Sequence, residues 1–235
     1  MSTSPTIFAP DIFRTKIEKY VELRSAISKN LGIVKSKLRY IGSGRFTAAY
    51  RDSNDDVILL TFYGDNSKQI LSKAYYLYAD NPHIPNMERL GTFEFDSTES
   101  VQMYRTSYYR PCIPNLIGHT ARKTIHALRE AHDSACDEFY YDILDANQVP
   151  DFNYAVVSNA EGHIPQSMRR ALTMLYDVAH TNDFGDGHIF DDFHFRNFGF
   201  NNRNKLVLID PMFSLKVTTE HRRGIIADQF FDRNM

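Results

Sequence analysis

Asp192-Phe193-His194-Phe195-Arg196-Asn197, followed thirteen residues after Asn197 by Asp210 in Ile209-Asp210-Pro211, is the stretch on which the reading of this chain turns. It has the form D-x-H-x-x-N … D: an acid, an amide five residues on, and a second acid at the end of an apolar run. Phosphoryl transfer from a nucleotide needs those residue types in that order. One acid orients the attacking hydroxyl, while an amide and a second acid hold a divalent cation on the phosphates. Asp192 is the candidate orienting acid, with the adjacent Asp191 leaving a one-residue ambiguity. Asn197 and Asp210 are the candidate Mg²⁺ ligands. His194 is expected to brace the loop by hydrogen bonding.

A complementary half lies far upstream, in Tyr40-Ile41-Gly42-Ser43-Gly44-Arg45-Phe46-Thr47-Ala48-Ala49-Tyr50. Two glycines between short strands, Leu38–Tyr40 and Ala48–Tyr50, fit a flap whose backbone N–H groups approach phosphate oxygens without side-chain obstruction. Phe46 would cap the phosphates at the tip. The candidate nucleotide-binding set is therefore Gly42, Ser43, Gly44, Arg45 and Phe46 in the flap, with Ala49 and Val57 on the strands beside it. The next strand reads Val57-Ile58-Leu59-Leu60-Thr61-Phe62, and Leu59 falls where a kinase-type strand carries a phosphate-gripping lysine. The helix that follows offers no glutamate, only Lys68, Gln69 and Lys73. Arg45, Lys68 and Lys73 are the cations that could substitute, and each also reads as an ordinary solvated charge.

The apolar pattern gives the frame around these two halves. Residues 11–30 repeat at helical spacing with Gly32 as the stop, and Asn54-Asp55-Asp56 makes a turn before the strand Val57–Tyr63. Ser67–Ala79 reads as a helix ended by Asn81-Pro82-His83-Ile84-Pro85-Asn86. Leu90–Phe95 and Val101–Tyr109 read as a strand pair. Arg110–Asn115, with two prolines, is the expected hinge. Residues 121 to about 147 are helical by period. Pro165 opens another helix with Met168, Leu172, Leu175, Tyr176 and Ala179 as its buried stripe, and Phe198–Phe200 with Leu206–Ile209 form a hairpin. The expected fold class is α+β: one kinase-like domain over 1–235, with an N-terminal helix and sheet-rich N-lobe over about 1–110 and a reduced helical C-lobe over about 111–235.

Composition excludes several alternatives. The formal net charge is −2 with both signs interspersed, so direct nucleic-acid binding is not expected. No apolar run approaches the roughly 20 residues of a bilayer span, and the first ten residues lack the pattern of a signal peptide. The two cysteines, Cys112 and Cys136, read as free thiols of a reducing cytosol. His180, His188 and His194 lack a compact metal-ligand spacing. A cytoplasmic protein without membrane contact is the expectation.

The flap Tyr40-Ile-Gly-Ser-Gly-Arg-Phe-Thr-Ala-Ala-Tyr50, the segment from Tyr78 to Ile84-Pro85-Asn86, and Asp192-Phe-His-Phe-Arg-Asn197 with Ile209-Asp-Pro-Met-Phe213 resemble the early serine/threonine protein kinase of T-odd (T-seven-like) bacteriophages. The resemblance covers most of the chain from about Leu38 to Ser214. It implies a kinase made early in infection that uses ATP and Mg²⁺ to phosphorylate host bacterial proteins in the host cytoplasm. It also implies that Gly42, Gly44 and Phe46 touch phosphates while Asp192, Asn197 and Asp210 perform the transfer. Two features depart from that family: Leu59 replaces its strand lysine, and its long basic C-terminal region has no counterpart in the 25 residues after Asp210. Three functions stay open on the sequence: an active protein kinase, a pseudokinase that binds and inhibits a host protein, and a small-molecule phosphotransferase.

Overall fold

The computed structural model describes residues 17–43, 47–62, 66–94, 100–139, 144–181, 184, 187–190 and 193–215. Helix α1 (Ile17–Leu31) is followed by three strands, β1 (Arg39–Ser43), β2 (Thr47–Arg51) and β3 (Asp56–Phe62). Helix α2 (Ser67–Tyr78) then crosses to β4 (Met87–Glu94) and β5 (Ser100–Ser107). These five strands make one sheet in the order β1-β2-β3-β5-β4, antiparallel at every pairing. The remaining strands are short: β6 (Arg110–Pro111), β7 (His188–Phe190), β8 (Phe198–Phe200), β9 (Leu206–Leu208) and β10 (Met212–Ser214). Between them run the helices α3 (His119–Phe139), α4 (Val149–Asn159) and α5 (Gln166–Thr181). A sheet-rich first half and a helical second half give the α+β arrangement expected from the sequence.

Strand β3 explains why the sheet is stable. Its continuous Val57-Ile58-Leu59-Leu60 run is buried on both faces, as a strand covered on two sides must be. Ile58 and Leu60 face one apolar cluster with Ala48, Tyr50, Val101 and Met103, closed by Leu23 and Ile27 of α1. The amphipathic stripe of residues 11–30 is thus spent, at Leu23 and Ile27, on the outer face of the sheet; residues 11–16 lie outside the description. Each such fully buried side chain contributes about 1.5–3 kcal/mol. Val57 and Leu59 face the other way, into the main core shared with Ile70, Leu71 and Ala74 of α2 and with the helical half. Glycine ends α1 as anticipated: Gly32 has φ +66, the left-handed conformation that closes a helix.

The second half departs from the sequence reading at one place. The helix expected from 121 to about 147 instead spans His119–Phe139, and a further helix, α4, occupies Val149–Asn159. Just before α4 the chain turns at Asp145, whose carboxylate accepts the N–H groups of Asn147 and Gln148. Pro150 then stands in the first turn of α4, where a missing N–H costs nothing. The two-proline segment expected as the hinge begins with an edge strand. Strand β6 is the edge of a three-stranded sheet, β6-β8-β9, which is where proline is tolerated.

Helix α2 is the element that joins the halves, touching β4, α5 and β10. At its C-terminal end, Asn81 and His83 anchor it. The Asn81 amide donates to the Ser167 carbonyl at 3.2 Å, and its carbonyl oxygen accepts the His83 N–H at 3.0 Å. His83 Nδ1 donates to the Leu206 carbonyl at 2.6 Å, while Nε2 lies 2.8 Å from the Ser167 hydroxyl and accepts from it. The Leu208 N–H returns to the His83 carbonyl at 2.9 Å.

Candidate active site

Two antiparallel pairings bring the distant acid and amide together. Strand β8 pairs with β9, Phe198 opposite Leu208, and β7 pairs with β10, Phe190 opposite Met212. The Asn197 carbonyl consequently accepts two N–H groups, from Ile209 at 2.8 Å and Asp210 at 3.2 Å. Asn197 itself is buried and closes a single 3-10 turn by donating its N–H to His194 at 2.8 Å. The Asp210 side chain is 46% exposed, so its carboxylate is open to a ligand. This junction is made by backbone, yet it depends on one side chain being absent. A Cβ on Gly199 would sit 2.6 Å from Ile209 Cδ1 and 2.7 Å from Tyr109 Cβ. Glycine there lets the hinge close onto the strand that leads to Asp210.

Asp191 and Asp192 lie outside the described residues, but the chain on either side is firmly placed. Phe190 and Phe193 are fully buried. Phe193 has φ +49, a conformation that a bulky residue rarely adopts and that concentrates at functional sites. Its ring lies 5.9 Å from that of Phe190 and 6.2 Å from those of Phe198 and His132. Strand β7 is held by the buried Asn153 amide, which donates to the His188 carbonyl at 2.7 Å and accepts the Phe190 N–H at 2.9 Å. A side-chain amide thus takes the place of a neighbouring strand. Burial lowers the proton affinity of His180, whose Nε2 lies 3.0 Å from the same amide, against the opposing pull of Asp177.

Of the candidate cations, Lys68 is the one that the described residues bring to Asp210. Leu59 is packed in the main core beside Ile70, Leu71 and Tyr104, so an apolar side chain fills the strand position. Lys68, second residue of α2, is 3% exposed and donates to the Asp210 carboxylate across 142 residues of sequence. A buried ammonium is stable only when paired and hydrogen-bonded, and Asp210 supplies that partner. Lys73, the other helix candidate, points elsewhere: its Nζ lies 5.9 Å from the centroid of the Phe184 ring. Arg45 is outside the described residues. The sequence contained the signal for Lys68, three residues before buried Leu71 and seven before half-buried Tyr75, hence on the packed side of the helix.

The nucleotide side is described in part. Gly42 sits at a bulge between β1 and β2 with φ +155, and Ser43 ends β1; Gly44, Arg45 and Phe46 are outside the described residues. Ala49 pairs with Leu59, and Ala49, Val57 and Leu59 share the inward face of the sheet. At the hinge end of that face, the Arg51 guanidinium stacks 3.8 Å over the Tyr108 ring and pairs with Asp55 at 2.8 Å. Asn86 latches the start of the hinge: its amide oxygen accepts from the Ser107 N–H at 2.9 Å and the Tyr109 hydroxyl at 2.5 Å. Burial raises the proton affinity of that phenol, against the Asn86 and Thr106 hydrogen bonds that lower it.

A carboxylate and an amide are oxygen donors suited to a hard divalent cation such as Mg²⁺, and Asp210 has the necessary access. Among the described residues no group of three or more His, Cys, Asp or Glu side chains could hold a metal; Asp192, the further acid, falls outside them. A groove of about 540 Å³ lies elsewhere, between Asp80–Pro82 and Gln166, Ser167 and Arg170 of α5. Among the described residues no helix is long and apolar enough to cross a membrane.

No family model matches this chain, and no curated protein matches it. Solved structures similar to it include the GDP and kanamycin complex of APH(2")-IIia, with 13% identity, 82% of this chain and 70% of that chain covered, and a TM-score of 0.37. The streptomycin–ATP complex of APH(2")-IIa has 15% identity over 85% and 73% of the two chains, at a TM-score of 0.33. The ADP-bound aminoglycoside phosphotransferase APH(2'')-Ib gives 15%, the same coverages, and 0.31. Likenesses this distant say nothing of the substrate of this chain.

Proposed function

We propose that this chain is an ATP-dependent phosphotransferase and, more finely, a phage-encoded serine/threonine protein kinase acting on host bacterial proteins in the host cytoplasm. The observation that supports the chemistry is the junction at which the Asn197 carbonyl accepts the Asp210 N–H while Asp210 receives a buried lysine. Such a meeting of an asparagine, a carboxylate and a buried cation, at the seam between the sheet and the helical half, suits a metal-bound phosphate. The finer reading rests on the flap, the Ile84-Pro85-Asn86 segment and the D-x-H-x-x-N loop, which together resemble the phage kinases.

The step this implies is a direct transfer. The oxygen of an acceptor hydroxyl bonds to the γ-phosphorus of ATP as the bond from that phosphorus to the β-phosphate oxygen breaks, releasing ADP. The hydroxyl proton passes to the Asp192 carboxylate and on to solvent. Asn197 and Asp210 would hold Mg²⁺, which when bound neutralises charge on the phosphates. Gly42, Ser43, Gly44, Arg45 and Phe46 would contact the phosphates, and Ala49 and Val57 would present an apolar ceiling to the base.

The test is transfer of terminal label from ATP·Mg²⁺ to bacterial lysate, with Asp192→Asn as control. Labelled proteins with the parent and none with the variant are expected. Label confined to small metabolites would replace the protein-kinase reading with a small-molecule phosphotransferase. A folded parent that labels nothing and shows no ATP-dependent thermal shift would leave a pseudokinase, the reading that the buried Leu59 favours.

A further inference from the structure

We infer that Lys68 is the phosphate-gripping cation of this chain, moved from the third strand of the sheet to the helix beside it. This rests on the phosphotransferase reading above and names a residue that the motif pattern leaves vacant. Three observations carry it. The strand position is closed to a cation, because Leu59 is 7% exposed and belongs to the main core. The helix α2, with sequence Ser67-Lys-Gln-Ile-Leu-Ser-Lys-Ala-Tyr-Tyr-Leu-Tyr78, has no glutamate, so a strand-lysine-to-helix-glutamate pair could not form even if the strand carried its lysine. And Lys68 reaches from its buried helix position to the Asp210 carboxylate, the proposed metal ligand, which places its ammonium where metal-bound phosphate oxygens would lie.

The pairing also says how the residue works. Without nucleotide, the buried ammonium sits against a carboxylate whose exposed side is open to a divalent cation. With ATP and Mg²⁺ bound, Asp210 would serve the metal and Lys68 would exchange one oxyanion for another, on the phosphates. The lysine never has to be buried without a counter-charge, which would be strongly unfavourable. One side chain thereby performs two jobs that a lysine–glutamate pair divides: it neutralises phosphate, and it ties α2 to the helical half of the molecule. The position of α2 and the position of the catalytic cation become the same variable.

Calorimetric titration of the full chain with ATP·Mg²⁺ and separately with adenosine, for the parent and Lys68→Met, tests this independently of turnover. The expected result is a loss of about tenfold or more in ATP affinity with adenosine affinity held within about twofold, since only phosphate contacts are removed. Transfer should fall by roughly 10²–10³-fold in kcat, the usual cost of deleting one charge-stabilising donor. Unchanged ATP affinity and turnover in Lys68→Met, beside a parent that does transfer phosphate, would overturn the assignment and leave the phosphotransferase reading intact. Equal losses for ATP and adenosine would also overturn it, making Lys68 a structural residue only. A parent that binds no ATP would overturn both. Should Lys68→Met lose its cooperative unfolding transition, Lys68→Gln, which keeps a polar head opposite Asp210, is read by the same criteria.

Discussion

Helix α2 is fastened to the helical half at both ends, and the two fastenings are chemically opposite. At its C-terminal end the joint is neutral: Asn81, His83, Ser167 and the backbone of Leu206 and Leu208 exchange matched hydrogen bonds, and Asn81 and His83 are buried. At its N-terminal end the joint is ionic, with one partner buried and the other, Asp210, nearly half exposed. A joint of the first kind has nothing to gain from a charged ligand. A joint of the second kind is open to competition, because a metal or a phosphate can satisfy either partner. The contrast teaches that one end is sealed by matched neutral groups, while the other leaves half a carboxylate open to a ligand.

The most damaging change to the ionic end is Asp210→Ala. Loss of about 10²–10³-fold or more in phosphate transfer is expected, since both the metal ligand and the partner of Lys68 disappear. The unfolding midpoint measured alongside should move far less than activity does; a variant that stays active would break the proposed division of labour. At the neutral end, His83→Ala strips partners from the Leu206 carbonyl and the Ser167 hydroxyl. A destabilisation of about 2–3 kcal/mol in denaturant melts is expected, from two hydrogen-bonding groups left wanting. If His83→Ala abolished ATP binding while leaving stability untouched, the two ends would have to exchange roles.

Between these lies Gly199→Ala, which inserts a Cβ between the hinge and Ile209. Overpacking of this kind costs about 1–3 kcal/mol, and because Ile209 precedes Asp210 the ATP KM should rise as stability falls. A variant with full stability and unchanged KM would mean that the hinge relaxes away from the junction.

Acid should loosen the neutral end. Burial lowers the proton affinity of His83, outweighing the Leu206 hydrogen bond that raises it and aided by nearby Lys205. The unfolded chain therefore takes up the proton first, starting near the ordinary histidine value of 6.5. Stability contributed by neutral His83 is complete above that pH and declines as pH falls toward the lower folded value. His180 is shifted the same way by burial and adds to the same decline. Unfolding free energy measured from pH 8 to 5 should drop, and His83→Gln should flatten part of the slope; an unchanged slope would remove His83 as its source.

The smallest effect is expected at Arg51, stacked on Tyr108 and paired with an exposed Asp55. Arg51→Ala should cost no more than about 0.5–1 kcal/mol. A larger loss confined to ATP affinity would draw Arg51 into the nucleotide-binding face.

What could be read from the sequence was whatever local chemistry fixes. The apolar composition of Val57–Phe62, the period of Ser67–Tyr78 and the turn at Asn201–Lys205 determine strand, helix and hairpin without reference to the rest of the chain. The D-x-H-x-x-N … D spacing determined that Asn197 and Asp210 would meet, because a short hairpin between them leaves the backbone little choice. Residues 144–147 do not continue the helix expected there, because the helical period alone does not show that Asp145 will hydrogen-bond the backbone of Asn147 and Gln148. That Lys68 would pair with Asp210 was beyond the sequence as well, although its place on the packed side of the helix was not. Lys68 and Asp210 stand 142 residues apart, and only the packing of α2 against α5 and β10 makes them neighbours. The fold decided that, because a buried ammonium must find its counter-charge wherever the chain brings one within reach.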